Sequence, residues 1–532
     1  MLLLEVNDVK EMIGERVLFQ LSHAKLYEGD RIGIVGNNGA GKTTLLTMLA
    51  SNHTGVIRYG SHSLIPQLEE EGVMTREFSD TQVGANRSGG EWTRAKIAAA
   101  LESHTRILFA DEPTSNLDME GIADLEGELL RFHGVLVFIS HDRRLLRSVA
   151  TKIWEIEDGK VVMYNGNYDP YVKQKQENRS RHQAEYEQYQ KKREQLLAAK
   201  YKMESRAKTM GRPPARMNPK EYHLYEGKKK SNRASVERAA KSIQSRLDKL
   251  KTIEKLKELP QTKMDIPSYL QLHARYVLQV KNANKSFGEK RILQDTSFTV
   301  RNKKRTALIG RNGSGKSTLL RMIVQGHGAV ECANGVKIGY FSQNLNILQK
   351  DMSLLENVMK TSSYNEQWIR TILARLLFKR EDVYKKIDVL SGGERVKAAL
   401  AKVFLSDCNV LVLDEPTNYL DLASIEALED VLTDYGGALL FVSHDHTFVE
   451  RVAEEILSLE NGKVTQFIGT LHEFEEGQSR KNDDRKLHLL QLETRLSCVL
   501  GRLCTATNEK EKAALEREYE DVLQQIKAYR NK

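Results

Sequence analysis

The sequence predicts an α/β protein with two homologous domains in tandem, a long antiparallel α-helical hairpin between them and a C-terminal helical extension. Three observations carry this prediction. A set of short motifs occurs twice in the same order. Each copy alternates short apolar runs with segments of helical spacing. Between the copies, residues 181–260 hold 22 Lys/Arg against 10 Asp/Glu, a net charge of +12 in a chain whose total is only +9. At 532 residues the chain is also too long for one hydrophobic core.

The repeat sets the organisation. GNNGAGKT at 36–43 returns as GRNGSGKS at 310–317, an offset of 274. SGGE at 88–91 returns at 391–394, DEPTSNLD at 111–118 as DEPTNYLD at 414–421, and ISHD at 139–142 as VSHD at 442–445, each at an offset of 303. Nearly all of the extra length falls after Gln343, where the second copy carries LLENVMK and WIRTILARLLF. The first domain, abbreviated there, is placed at 1–176 and the second at 266–477. The linker is placed at 177–265 and the extension at 478–532.

Within each copy RIGIVG and RTALIG read as short strands that stop at a glycine-rich turn. TLLTMLA and TLLRMIV then show helical spacing, RILFADE and NVLVLDE read as buried strands ending in two acids, and VLVFIS and ALLFVS as strands ending before a histidine. Strands apolar on both faces, alternating with helices, imply a mostly parallel sheet with covering helices.

G-x-x-x-x-G-K-[ST] between a strand and a helix is a phosphate loop, the Walker A motif. Its glycines let backbone N–H groups face phosphates, and the helix N-terminus adds positive field. The loops comprise Gly36, Asn37, Asn38, Gly39, Ala40, Gly41, Lys42, Thr43 and Thr44, then Gly310, Arg311, Asn312, Gly313, Ser314, Gly315, Lys316, Ser317 and Thr318. The lysines reach β/γ-phosphates while Thr43 and Ser317 ligate Mg²⁺. Asp111 and Asp414 end strands where that cation would sit, and a hard cation takes carboxylate oxygen. Glu112 and Glu415, one residue on, are placed to orient the attacking water. His141 and His444 are placed to meet the γ-phosphate. Gln67 and Gln343 follow strands and are candidates to sense Mg²⁺ and water.

Walker A, glutamine, SGGE, DEPT-x-x-LD and SHD in this order, twice, resemble the ATP-binding cassette superfamily. The resemblance implies that the SGGE of one cassette caps the ATP held by the other. One composite site would join Lys42, Thr43, Gln67, Asp111, Glu112 and His141 to Ser391, Gly392 and Gly393. The other would join Lys316, Ser317, Gln343, Asp414, Glu415 and His444 to Ser88, Gly89 and Gly90. Two departures stand out: Arg87 precedes the first SGGE where Leu390 precedes the second, and an aromatic for stacking adenine, Phe287, has only Met12 or Ile13 as its counterpart.

Tyr186, Tyr189, Leu196 and Leu197 give the first linker arm a loose apolar stripe. Val236, Ala239, Ala240, Ile243, Leu247, Leu250 and Ile253 give the second a tighter one at spacings of three and four. Gly211, Pro213, Pro214, Pro219 and Gly227 break helix between them, giving a tip near 211–227. An arm of about 30 residues would be roughly 45 Å long. Its basic face, with Lys191, Lys192, Arg193, Arg206, Lys208, Lys228, Lys229, Lys230 and Arg233, suits nucleic-acid phosphates read by shape. The tip mixes Arg212 and Arg216 with Met217, Tyr222, His223, Leu224 and Tyr225, groups that stack on unpaired bases or crowd an apolar ligand. A solvated coiled-coil spacer is the plain alternative for such a charge run.

Two cassettes in one chain with such a linker resemble the ABC-F family. Ser88 follows Gln67 by only 21 positions, too few for the arm that housekeeping members insert there. With the long linker, and with SLIPQL, FADEPTSNLD and ELPQTKMD, this resembles the antibiotic-resistance branch, most closely the Vga-type ribosome protection proteins. That resemblance implies a cytoplasmic, monomeric, Mg²⁺-dependent ATPase that binds the bacterial ribosome, its RNA and the exit-site tRNA region in the ATP state. The linker would reach toward the peptidyl-transferase centre against lincosamides, pleuromutilins and streptogramin A. A housekeeping translation factor and an exporter ATPase subunit are the rival readings. No apolar run of about 18 residues is present for a membrane span. Cys332, Cys408, Cys498 and Cys504 form no C-x-x-C pair, which fits reduced thiols. The extension carries Leu489, Leu490, Leu492, Leu496 and Leu500 at helical spacing and reads as a helical hairpin or a second ribosome contact.

Overall fold

The computed structural model describes residues 1–66, 105–115, 117–209, 234–236, 238–250, 252–253, 271–342, 345–505 and 509–530. These fall into two compact units. The larger comprises Met1–Val149, Trp154–Val162 and Gln261–Lys532, and the smaller comprises Ala150–Ile153 and Met163–Pro260.

The first cassette opens with β1 (Leu2–Ile13) and β2 (Arg16–Tyr27). It continues through β3 (Arg31–Gly36), β4 (Val56–Arg58), β5 (His62–Ile65), β6 (Ile107–Asp111), β7 (Val135–Ile139), β8 (Lys152–Glu157) and β9 (Lys160–Asn165). The second repeats the series as β10 (Tyr276–Phe287), β11 (Lys290–Arg301), β12 (Arg305–Ile309), β13 (Val330–Cys332), β14 (Ile338–Phe341), β15 (Val410–Asp414), β16 (Ala438–Val442), β17 (Glu455–Glu460) and β18 (Lys463–Ile468). Each has a three-stranded antiparallel sheet, ordered β2-β1-β4 or β11-β10-β13. Each also has a six-stranded sheet, ordered β5-β6-β7-β3-β8-β9 or β14-β15-β16-β12-β17-β18. The repeat in sequence is thus a repeat in topology.

Every residue of β6, β7, β15 and β16 is buried, as the unbroken apolar runs require of strands covered on both faces. Both acid pairs therefore emerge from the most protected strands of their sheets. The helices Leu354–Met359 and Glu366–Arg375 occupy the stretch that the first copy lacks, and Ile369, Ile372 and Leu373 bury its apolar face.

In the smaller unit one helix, Tyr168–Thr209, runs for 42 residues, about 63 Å at 1.5 Å per residue. It starts earlier and extends further than the arm expected from the apolar stripe. Its base is packed: Tyr171 meets Tyr164 edge-on at 5.0 Å and tilts against Tyr168 at 5.8 Å. Tyr186, Tyr189, Leu196 and Leu197 are half-buried while Lys191, Lys192 and Arg193 are exposed. The return segment is helical over 234–236 and 238–248, with Val236, Ala239, Ala240, Ile243 and Leu247 half-buried and Lys241 and Arg246 exposed. The tip lies outside the described residues.

The chain ends in helices Leu471–Thr505 and Glu509–Arg530, joined by Leu492 against Val522 and Ile526 and by an Arg495–Glu518 ion pair at 2.7 Å. The expected leucine stripe needs one correction. Leu500 is exposed, and Val499 takes the inward position, because it lies seven residues, nearly two full turns, beyond the inward Leu492, and Leu500 lies about 100° further round the helix. Cys332, Cys408 and Cys498 are free thiols. Among the described residues no helix is long and apolar enough to cross a membrane.

Candidate nucleotide sites

Each glycine-rich loop ends at a residue that only glycine suits. Gly41 (φ 96°) and Gly315 (φ 107°) are left-handed, and an added Cβ would lie 2.6 Å from Leu18 Cγ or 2.3 Å from Ile292 Cγ2. From there the helices Lys42–Ala50 and Lys316–Val324 present unpaired amides toward the loop. The two lysines are buried. Lys42 Nζ donates to the carbonyls of Gly36 (2.8 Å) and Asn37 (3.2 Å), and Lys316 Nζ to those of Gly310 (2.8 Å) and Arg311 (3.0 Å). Burial pulls both ammonium pKa values down against the opposing pull of nearby carboxylates.

Across the loop, the Ser317 hydroxyl donates to Asp414 Oδ1 at 3.1 Å, and at the other site the Thr43 hydroxyl opposes the effect of burial on Asp111. Burial raises the pKa of both aspartates. Asp111 Oδ1 is buried without any hydrogen-bond partner, an acceptor waiting for a cation or a donor.

Glu112 and Glu415 adopt φ of 47° and 51°, a conformation that non-glycine residues rarely hold and that costs on the order of 1–3 kcal/mol. The surrounding sheet imposes it: their amides donate to Ile139 O and Val442 O of the neighbouring strands at 3.0 Å. This turn sets Glu112 Oε1 3.2 Å from His141 Nε2 and Glu415 Oε1 3.3 Å from His444 Nε2. Loss of water raises the two glutamates to about 8 and about 7, and lowers both histidines to about 3. Each site therefore pairs a neutral imidazole with a carboxyl that titrates near neutrality.

Residues of the opposite cassette complete each loop. Asp421 caps helix Leu422–Thr433 and also accepts the Asn38 amide at 2.8 Å, while Asn38 Nδ2 donates to Tyr419 O at 2.9 Å. Gly393 closes against the same loop, where an added Cβ would meet Asn38 Nδ2 at 2.7 Å. Ser391 and Glu394 form a reciprocal capping box at the start of helix Gly392–Phe404, so this helix N-terminus faces the first Walker A loop. At the second loop, Asp118 accepts the Asn312 amide at 3.0 Å. Ser88, Gly89 and Gly90, like Gln67 and Gln343, lie outside the described residues. Phe287 stands exposed at the tip of the β10–β11 turn with Lys285 Nζ 5.6 Å from its ring. Its register counterpart is Ile13 in the β1–β2 turn, next to Met12.

Family models described as ABC transporter match residues 19–71 and 293–418, and a second of the same description matches 154–218. The ribosome protection protein VmlR of Bacillus subtilis (strain 168) is 32% identical over 558 residues, covering 98% of this chain and 97% of that one. The erythromycin resistance ATP-binding protein MsrA of Staphylococcus epidermidis is 31% identical, covering 85% and 96%. This chain belongs to the ABC-F family of ATPases. These two relatives are of its antibiotic-resistance branch. In solved structures, an archaeal ribosome recycling factor aABCE1 in complex with the stalk protein aP1 aligns with a TM-score of 0.56 over 89% of this chain and 92% of that one. At 18% identity it shows the tandem-cassette fold alone.

In this ABC-F protein the sequence motifs named most of the residues that meet, but missed Asp118 and Asp421. Each closes a DEPT-x-x-LD motif immediately before a helix, and so reads as an N-cap serving its own helix. The aspartates do that and more, since the second carboxylate oxygen reaches across to the other cassette. The available signal was their recurrence at the 303-residue offset.

Proposed function

We propose that this ABC-F ATPase binds the bacterial ribosome at the exit site in its ATP state and protects translation from peptidyl-transferase-centre antibiotics: lincosamides, pleuromutilins and streptogramin A. The observation that carries the reading is the near full-length similarity to VmlR, together with the basic linker helix of 42 residues.

ATP would lie on the two glycine-rich loops, with Lys42 and Lys316 exchanging loop carbonyls for β/γ-phosphate oxygens. Mg²⁺ bound with the nucleotide would be held by Thr43 and Asp111 or by Ser317 and Asp414, with Gln67 and Gln343 assigned the same task. The unpartnered Asp111 oxygen beside a hydroxyl fits a hard cation that takes its other ligands from phosphate and water. When bound, the cation would offset phosphate charge. Glu112 and Glu415 would orient the attacking water, and His141 and His444 would hold those glutamates and meet the γ-phosphate. Ser391, Gly392 and Gly393 would close the first site over its nucleotide, and Ser88, Gly89 and Gly90 the second. Phe287 would stack adenine. Closure in ATP favours the bound state, and hydrolysis releases the protein. The exposed cations of the linker would contact ribosomal RNA, and Arg212, Arg216, Met217, Tyr222, His223, Leu224 and Tyr225 would form the tip acting near the drug site.

The test is an inhibitor panel in a deletion strain. Loss of the gene is expected to sensitise cells to those three drug classes, and re-expression to restore growth. Unchanged sensitivity would overturn the protection reading and leave a housekeeping translation factor. Replacing 212–225 with a Gly/Ser loop is expected to remove protection while basal ATPase stays within about twofold, as for a segment that carries none of the nucleotide motifs.

A further inference from the structure

The cassettes are joined by a buried ion pair that has no counterpart at the symmetric position. Arg143 follows His141 by two residues. Its guanidinium grips Glu429 with both terminal nitrogens, Nη1 donating to Oε2 at 3.0 Å. Arg143 is 4% exposed and Glu429 fully buried, and the carboxylate also receives Arg451 Nη1 at 2.6 Å. Glu429 lies on helix Leu422–Thr433, whose cap Asp421 closes over Asn38. Eight residues, about 12 Å of helix, separate the two anchors. One rigid helix of the second cassette is therefore pinned to the first cassette twice, at the phosphate loop and beside the histidine turn.

The 303-residue offset gives the equivalents at the other site: His446 for Arg143 and Glu126 for Glu429. They do not meet. His446 Nε2 pairs with Glu475 of the C-terminal helix at 2.9 Å, and Glu126 pairs with Arg144 of its own cassette at 3.3 Å. Helix Met119–Arg131 keeps its cap contact with Asn312 and an Arg311–Glu120 pair whose side chains are 74% and 62% exposed. An exposed pair is screened and weak, whereas separating the buried bidentate pair takes Arg143 from its main carboxylate, leaving it 3.9 Å from Asp445, and leaves Glu429 to Arg451 alone.

We infer that Arg143 and Glu429 form a latch that belongs to the first composite site, so that this site releases nucleotide more slowly than the second. Both are positioning residues, acting through Asp421 on one side and His141 on the other. The inference rests on the two loops being the nucleotide sites. It does not depend on the ribosome.

The experiment follows release of a fluorescent ATP analogue from full-length protein carrying Glu112→Gln and Glu415→Gln, by stopped flow. Two phases are expected, the slow one lost on adding Lys42→Ala and the fast one on adding Lys316→Ala. Arg143→Ala or Glu429→Gln is expected to speed the slow phase at least tenfold and leave the fast phase within about twofold. His446→Arg, which gives the second site the residue the first one has, is expected to slow the fast phase. Equal acceleration of both phases by Arg143→Ala, or no change in either, would overturn the latch. Arg143→Lys, which keeps the charge but not the bidentate grip, guards against a folding artefact: a slow phase between wild type and alanine supports the latch, and one equal to wild type counts against it. No binding at either loop would instead sink the nucleotide-site reading, and loss of drug protection with both phases as predicted would concern the ribosome reading alone.

Discussion

The two cassettes build their glycine-rich loops alike and their first hairpin turns differently. Lys42 and Lys316 hold matching pairs of loop carbonyls, and both histidine–glutamate pairs fall within 0.1 Å of each other, at 3.2 and 3.3 Å. At the hairpin tips the likeness ends. Phe287 offers an exposed ring with a lysine over it, whereas Ile13, equally exposed, offers no π face. Duplication has preserved the loops and histidine–glutamate pairs proposed to meet phosphate and relaxed the turn proposed to meet the base.

The largest expected effect tests the shared half of this comparison. Glu112→Gln with Glu415→Gln is expected to lower ATPase activity by at least about 100-fold, the range for losing a positioned acid–base group. Each single change is expected to leave the other site measurable by phosphate release. Equal total loss from either one would show that the sites act as one unit.

The next effect tests the difference. Phe287→Ala is expected to weaken ATP binding at the second site about tenfold, within the ~1–3 kcal/mol of a base–aromatic stack, and to erase its preference over GTP. Competition binding in a Lys42→Ala background reads this directly. Ile13→Phe is the smaller, converse change. In a Lys316→Ala background it is expected to tighten ATP a few-fold and to sharpen base preference at the first site. An unchanged ratio would mean that the turn does not face the base.

The smallest effect concerns the asymmetric anchor at the second histidine turn. His446 holds the carboxyl of Glu475 below its usual range through a hydrogen bond. His446→Ala is expected to raise amide exchange over the first turns of helix Leu471–Thr505 with little change in ATPase activity. Unaltered exchange there would show that Leu471, fully buried, anchors the helix unaided.

These contrasts also mark what sequence could reveal. The buried strands, loop glycines and acid pairs were legible because each is dictated locally, by an apolar run, a positive φ or a cation's need for carboxylate. The Arg143–Glu429 pair was not, since its partners stand 286 residues apart and meet only when the two copies pack. Neither residue looks unusual in its own helix. The start of the long helix at Tyr168 was missed because three tyrosines, Tyr164, Tyr168 and Tyr171, pack together at its base, and their meeting is not visible in the linker's own apolar stripe. Val499 displaced Leu500 from the expected stripe because it stands two turns from the inward Leu492, while Leu500 falls about 100° away round the helix. The signature and tip residues Ser88, Gly89, Gly90 and Arg212 to Tyr225 rest on the sequence alone.

The central claim is that ATP closure of the two cassettes drives ribosome binding through the basic linker. The most direct measurement is co-sedimentation of the Glu112→Gln, Glu415→Gln protein with bacterial ribosomes through a sucrose cushion. In ATP the protein is expected to pellet with ribosomes, and in ADP to stay in the supernatant, with the bound fraction falling steeply as salt is raised. Equal recovery in the supernatant with either nucleotide would contradict the account.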